Sequence, residues 1–289
     1  MKARWEVFGK FLVIAILVLG ISLFGSSSNP KRIVAGTVAV TEVLVKLGIS
    51  PIGVPTTSYE LPKEVKNATK IGQPMNPSIE VVKSLQPDLF VSVDSLKPSL
   101  EPKLREAKIP YLFVSFSTYD DFYSAVEEIA KAVGRPGGGK VLLNLWKSRE
   151  KNVLNLISKK SKPKILILFG APGSIMVATE NSYVGSLAKK LGAINVVESS
   201  KEAYIPVNVE YLLAQQPDVI LRLTHADPET SKKLFDKEFK ENSVWKHFKA
   251  VSEGKVYDLP NTYFGVSANL YAIDALEKLA ELLYNIKIR

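Results

Sequence analysis

Met75 and His225 are the two side chains whose type and setting suit chemistry. Met75 lies in Ile71-Gly72-Gln73-Pro74-Met75-Asn76-Pro77, a rigid loop bracketed by prolines, whereas a core methionine sits within an apolar run. His225 lies in Arg222-Leu223-Thr224-His225-Ala226-Asp227-Pro228, directly after the apolar run Val219–Leu223. It is expected to project from the carboxyl end of a buried strand. Each sits beside one copy of a short repeat. Residues 74–91 read PMNPSIEVVKSLQPDLFV and residues 206–221 read PVNVEYLLAQQPDVIL. In both, a glutamate (Glu80, Glu210) precedes Pro-Asp by seven positions, and a β-rich run follows. Met75 precedes the first unit and His225 follows the second, so each of two similar lobes offers one ligand near the cleft between them. A thioether and a neutral imidazole are suitable axial ligands for heme iron, and that pair favours a raised reduction potential.

The elements that must position these residues alternate between strand and helix. Strands are expected at Arg32–Ala35, Leu89–Val93, Tyr111–Val114, Ile165–Phe169, Val219–Leu223 and Val256–Asp258. Helical patterns occupy Val38–Leu47, Ile79–Leu85, Tyr119–Val133, Tyr183–Leu191, Glu210–Gln215 and Ala268–Tyr284. This order predicts an α/β fold with mostly parallel sheets, built as two Rossmann-like lobes. Residues 140–160 place apolar residues at 142, 145/146, 153 and 156/157, the stripe of one long amphipathic helix. The expected organisation is an N-terminal segment at 1–30, an N-lobe at 31–137, an interlobe helix at 138–162 and a C-lobe at 163–289.

Other motifs are less informative. Gly134-Arg-Pro-Gly-Gly-Gly139-Lys140 mimics a phosphate-binding loop, but Val141 stands where magnesium needs Ser or Thr. It is read as a helix breaker. Gly170-Ala-Pro-Gly173-Ser174 is read as a turn from strand to helix that could face the cleft. Met176 follows in an apolar run and could line a pocket with its flexible side chain. His247, in the aromatic-rich Ser243-Val-Trp245-Lys-His247-Phe248, is read as packing or surface.

Composition narrows the classes further. The chain has 289 residues, no cysteine and two histidines. Thiol chemistry, disulfides, zinc ribbons and tris-histidine metal sites are therefore excluded within one chain. The net charge is +9, with lysine far more common than arginine. Phosphate and base readers favour arginine forks, and no basic cluster is interleaved with aromatics, so nucleic acid is not an expected partner. No nucleophile–base pair marks an enzyme. At the N-terminus, Lys2, Arg4 and Lys10 precede the uncharged run Phe11–Phe24 and a small, polar stretch. This is the pattern of a secretory signal or an uncleaved anchor.

With these residues in place, the chain resembles substrate-binding proteins of the iron-chelate and cobalamin ABC transporter class. Within it, the chain is most similar to the heme-receptor lipoproteins of the iron-regulated surface determinant type. The matching stretches are RIVAGTVAVT (32–41), IGQPMNPSIEVVKSLQPDLFVS (71–92), KILILFGAPGSIMVATENSYVGSL (164–187), QQPDVILRLTHADPE (215–229) and FKENSVWKHFKAVSEGKVYDL (239–259). The resemblance implies the helical-backbone two-lobe fold and heme b as a transported ligand. It implies Met75 and His225 as axial ligands on opposite faces of the heme. It places the propionates at Thr37, Val38 and Ala39, with Tyr59 nearby, where free N–H groups at a helix start favour carboxylates. It makes Glu80 and Glu210 docking residues for an ABC permease, and heme-donating surface proteins the upstream partners. It implies a place on the outer face of the cell membrane, attached or released through the N-terminal segment. The departure is Ser26, in Leu23-Phe24-Gly25-Ser26, where these lipoproteins carry the lipidated cysteine. The same fold could instead take a ferric siderophore or a corrinoid, with Arg222, Tyr59, Tyr183 and Tyr204 as an anion-binding cluster. A bare transition-metal receptor would need three or four His, Asp or Glu ligands, and only one well-placed histidine is present. An enzyme, heme-degrading or hydrolytic, is a further class, and no nucleophile–base pair is visible to support it.

Overall fold

A computed structural model describes residues 29–171, 173–197, 201–224 and 228–288. The N-terminal signal or anchor pattern, with Ser26, and His225 lie outside the described residues.

In the N-lobe, β1 (Ile33–Ala35), α1 (Val38–Lys46), β2 (Gly53–Val54) and β3 (Thr69–Lys70) lead to a small hairpin, β4 (Gly72–Gln73) and β5 (Asn76–Pro77). Then come α2 (Ile79–Ser84), β6 (Leu89–Val93), α3 (Lys97–Glu106), β7 (Tyr111–Val114) and α4 (Tyr119–Ala132). The main sheet runs β3-β2-β1-β6-β7, and every pairing in it is parallel. Strand alternation divides its side chains between two cores. Val34 and Phe90 pack with Val82 of α2 and Leu100 and Leu104 of α3. Ile33, Ala35 and Val91 pack on the other face with Val40 and Leu44 of α1 and Phe122 of α4.

The helix α5 (Pro136–Ile157) carries the chain to the C-lobe. It begins four residues ahead of the apolar stripe seen in sequence. Gly134, at φ +69°, ends α4 as a helix breaker should. The later glycines do not break anything: they form the first turn of α5. A Cβ on Gly139 would stand 2.5 Å from that of Ala130, so this glycine lets α4 and α5 touch.

The C-lobe contains β8 (Lys164–Ala171), β9 (Ser174–Ala178), α6 (Tyr183–Lys190), β10 (Ile194–Asn195), β11 (Tyr204–Pro206) and α7 (Val209–Gln215). After these come β12 (Val219–Thr224), α8 (Pro228–Glu241), α9 (Lys249–Ser252), β13 (Val256–Asp258) and α10 (Ala272–Tyr284). The sheet order is β11-β9-β8-β12-β13, with β10 also paired to β8. The segment 170–174 is not a strand-to-helix turn. Ala171 pairs with Ser174, and β8 and β9 form an antiparallel hairpin. The run Ser174-Ile-Met-Val-Ala178 pairs along β8 and β11 on an otherwise parallel sheet.

The sequence repeat is a structural repeat. Ser78 and Asn208 cap α2 and α7, accepting from the N–H of Val81 at 3.3 Å and Tyr211 at 3.0 Å. Gln86 and Gln216 leave their helices at φ 45° and 44°, the left-handed region. Asp88 accepts from the N–H of Lys31 and Arg32 at 2.7 and 2.8 Å, and Asp218 from that of Lys164 at 2.9 Å. Each aspartate thus ties the start of its own strand to the start of the lobe's first strand. The two backbone N–H groups hold the Asp88 carboxyl below its ordinary value. Asp88→Ala should lower stability by about 0.5–1 kcal/mol. Because the folded-state pKa is depressed, this contribution is present above the ordinary carboxylate pKa and is lost as pH falls through the lowered value. Parallel urea melts at neutral and acidic pH read the difference.

The lobes share one core. Phe122 of α4 stacks on Trp146 of α5 at 5.5 Å, and Leu187 of α6 and Leu276 and Leu279 of α10 belong to the same cluster. Arg149 of α5 donates to Glu277 at 2.9 and 2.6 Å and to Asp274 at 2.7 Å, all on α10. Tyr119 N–H donates to Ser186 Oγ at 2.8 Å. A seam packed in this way opposes a wide swing of the lobes. Arg149→Ala leaves two carboxylates facing each other half out of water, and should cost about 1–2 kcal/mol in thermal or urea unfolding.

Candidate functional site at the interlobe cleft

Parallel strands put their carboxyl ends on one edge of a sheet, and ligands of open α/β sheets bind outside that edge. In the N-lobe, three adjacent strands deliver the expected residues there. β1 leads to Thr37, β2 to the loop carrying Tyr59, and β3 to the β4–β5 hairpin. Just beyond β7, the Phe116 carbonyl accepts from Ala268 N–H at 2.8 Å, in the connection between β13 and α10. This bond joins the carboxyl edge of the N-lobe sheet to the C-lobe at the seam.

Thr37 is the N-cap of α1. Its Oγ1 accepts from Val40 N–H at 3.3 Å. The N–H groups of Val38 and Ala39, in the first turn, find no acceptor among the described residues. All three residues are half-buried, so these donors and the positive end of the helix dipole face a wall that is open to an anion. Gly36, which leads into this turn, has no room for a side chain, since any Cβ there would lie 2.7 Å from Ser92 Oγ and 2.9 Å from the Phe90 ring. Tyr59 is exposed, at 69%, and its N–H donates to Thr57 Oγ1 at 3.0 Å.

Met75 is the second residue of the two-residue turn between β4 and β5. Gln73 pairs with Asn76 across that turn, and Thr56 N–H binds the Gly72 carbonyl at 2.8 Å, which ties the hairpin to the β2 exit. The sequence suggests a proline-stiffened loop; the element is a hairpin, and Pro77 is part of its second strand. Met75 is 75% exposed, more than any other large apolar side chain among the described residues. Its thioether has no packing role, and a rigid turn holds it outward.

On the C-lobe, β12 ends at Thr224, directly before His225 in sequence. Thr224 Oγ1 donates to Asn261 Oδ1 at 2.8 Å, which braces that exit against the exit of β13. Sequence reasoning misses Asn261 because its partner is 37 positions away. Met176 lies in β9, half-buried, paired with Phe169 and Pro206. Beside it the Tyr204 ring lies tilted by 33° against that of Phe169, centroids 4.4 Å apart, an apolar surface suited to a flat ring. Burial pushes the Tyr204 hydroxyl up to about 12, so it remains neutral.

The cluster of Arg222 with Tyr59, Tyr183 and Tyr204 does not assemble. Arg222 is buried and forks onto Asp258 at 2.6 and 2.8 Å, with Asp236 at 3.1 Å. Its guanidinium also lies over the rings of Phe235 and Phe239 at 5.4 and 5.5 Å. These partners occupy it as a brace between β12, β13 and α8. Tyr183 is fully buried in α6. His247 is exposed in a short 3-10 turn whose Trp245 is the buried residue. Glu80 and Glu210 occupy equivalent second positions of α2 and α7, and both are exposed. Among the described residues, no three His, Asp or Glu side chains converge as a metal cage.

The chain is 39% identical over 282 residues to the high-affinity heme uptake system protein IsdE of Staphylococcus aureus (strain Newman), covering 96% of this chain and 97% of that protein. The crystal structure of S. aureus IsdE complexed with heme superimposes with a TM-score of 0.80 at 40% identity, over 88% of this chain and 98% of that one. An ABC transporter substrate-binding protein from Listeria monocytogenes EGD-e gives a TM-score of 0.82 at 37% identity, over 90% of this chain and all of that one. Residues 33–263 match the model of the periplasmic binding proteins. The two lobes, the single connecting helix and this match agree: the chain belongs to the periplasmic binding protein family.

Proposed function

We propose that the chain is an extracytoplasmic receptor that binds heme b between its lobes and passes it to an ABC permease for iron uptake. The observation that carries this reading is Met75, a thioether held 75% exposed at the tip of a stiff hairpin on the cleft edge of the N-lobe. Such a side chain is costly to leave in water, and it suits heme iron. His225, from the exit of β12, is the second axial ligand. The N–H groups of Val38 and Ala39, with Thr37 and Tyr59, receive the propionates. Met176, beside Tyr204, gives the ring an apolar wall.

Heme is cargo here, and the chain binds it without transforming it. Glu80 and Glu210 present one carboxylate on each lobe to basic residues of the permease. Heme-donating surface proteins supply the ligand, and the N-terminal segment takes the receptor out of the cell, as a secretory signal or as its anchor. The 39% identity to a heme uptake protein along nearly the whole chain supports this reading. Binding of an anionic ferric siderophore is disfavoured, because Arg222 is already committed to two aspartates. A competition titration tests the choice: hemin should displace a ferric siderophore or a corrinoid, and displacement in the other direction would refute the heme reading.

A further inference from the structure

We propose that the C-lobe carries a socket beside Glu210 in which an arginine side chain of the permease is seated. This rests on the docking reading of Glu210 and adds to it a recess and a second carboxylate, Glu238. A cavity of about 570 Å³ opens at the start of α7, between α8 and the turn from β8 to β9. Ile175, Val209, Leu234 and Trp245 give it apolar walls, and Glu210 and Glu238 are its acids. In a chain of net charge +9, no lysine or arginine among the described residues lines it.

Glu238 is half-buried in α8 and fixed in place. Its Oε1 accepts from Asn242 Nδ2 at 2.9 Å and from Trp245 Nε1 at 3.0 Å. Trp245 is fully buried and stacks on Phe239 at 4.5 Å and on Phe248 at 4.7 Å. Asn242 is held in turn, because its Oδ1 accepts from Val244 N–H at 3.1 Å. Oε2 of Glu238 has no partner among the described residues, and neither Glu238 nor Glu210 forms an ion pair there.

A half-buried carboxylate is costly to keep without a cation, so one supplied from outside binds favourably. The walls decide its kind. A guanidinium forks onto a carboxylate while its methylene stem lies on apolar side chains. Arginines seated in desolvated recesses carry much of the energy of an interface. A bare divalent ion fits less well, because it needs oxygen ligands on all sides, and no third acid converges here among the described residues. The socket also tells the lobes apart. Glu80 and Glu210 repeat each other, but the Ile175 wall comes from β9, which pairs antiparallel to β8. The main N-lobe sheet is parallel throughout. A grip on one lobe alone sets which way round the receptor sits.

The test follows heme uptake by cells that carry the full chain, or a variant, as their sole heme receptor. Receptor levels are kept low enough for docking to limit the rate, and hemin titration of each purified chain is the control. Glu238→Gln keeps an oxygen for Asn242 and Trp245 but removes the charge. Uptake should fall about tenfold with heme affinity unchanged. Because the chain has no cysteine, Ser174→Cys places a single thiol beside the cavity. The Ser174 side chain makes no hydrogen bond among the described residues, so this variant should take up heme like the parent. Aminoethyl methanethiosulfonate then couples to the thiol as a mixed disulfide, releasing methanesulfinate, and puts an ammonium in the cavity. The adduct is small enough to stay inside, so a partner that met only Glu210 would not sense it. Uptake should fall on treatment and return when dithiothreitol removes the adduct, while the parent ignores the reagent. Normal uptake by Glu238→Gln or by the treated Ser174→Cys chain would overturn the socket, as would a loss of heme affinity in Glu238→Gln. Glu210→Lys keeps the two readings apart: if it alone impairs uptake, docking stands without the socket, and if it too transports normally, both fall.

Discussion

His225→Ala should lower heme affinity by on the order of 100-fold or more, and Met75→Ala by a smaller factor with a lower reduction potential. The asymmetry follows from the ligands. Outer groups that only orient a metal ligand are worth about 10–100-fold, so loss of the imidazole itself costs at least that much. A thioether binds iron more weakly, but it favours the reduced metal, so its removal shows most clearly in the potential. The hairpin isolates the Met75 effect. Met75 packs against nothing that its loss would disturb, and its turn is held by the Gln73–Asn76 pair and by Thr56. The variant should therefore melt like the parent, and a change in heme spectrum cannot be charged to unfolding. Titration with hemin and redox potentiometry on both variants check this. Unchanged spectra and affinity in both would remove the ligand assignment.

Charge reversal at Glu80 and Glu210 should impair heme uptake while leaving heme affinity intact. Both carboxylates are exposed at the starts of short helices, one on each lobe. Neither makes an ion pair among the described residues. Their reversal thus costs the fold little, apart from the favourable interaction of an acid with a helix start, about 0.3–1 kcal/mol. At a docking surface the same change replaces attraction by repulsion. Close charge pairs across interfaces are worth about 1.5–7 kcal/mol, and each 1.4 kcal/mol is about tenfold in affinity. The double reversal should therefore weaken docking more than either single change. Iron-limited growth on hemin, alongside hemin titration of the purified variants, separates transport from binding. Normal growth by the double variant would end the docking proposal.

Length and locality decide which parts of this molecule are legible in its sequence. The Glu-x6-Pro-Asp repeat carries through because its contacts are local or lie at the start of a strand: a cap, a left-handed glutamine, and an aspartate on the first-strand N–H groups. Strands β6 and β12 are visible because strands of five and six residues, with four apolar residues each, are long enough to show. The two-residue strands β2, β3, β4, β5 and β10 are too short to show any period, so the sequence puts Met75 on a loop. β9 escapes notice because a glycine-containing turn after a strand resembles the start of a crossover. α8 is hidden because its inner face rests on Phe235 and Phe239 within a lysine- and glutamate-rich stretch. Arg222 looks like a free anion binder, since its partners lie 14 and 36 positions away. Positions 145 and 156 are ambiguous by periodicity, and the structure turns both outward.

Whether this chain is a heme receptor is tested most directly by titrating the purified full chain with hemin and following the Soret region. A saturating change at one heme per chain is expected, with the spectrum of a low-spin iron carrying two protein ligands. A spectrum that stays that of free hemin at every ratio would contradict the heme reading.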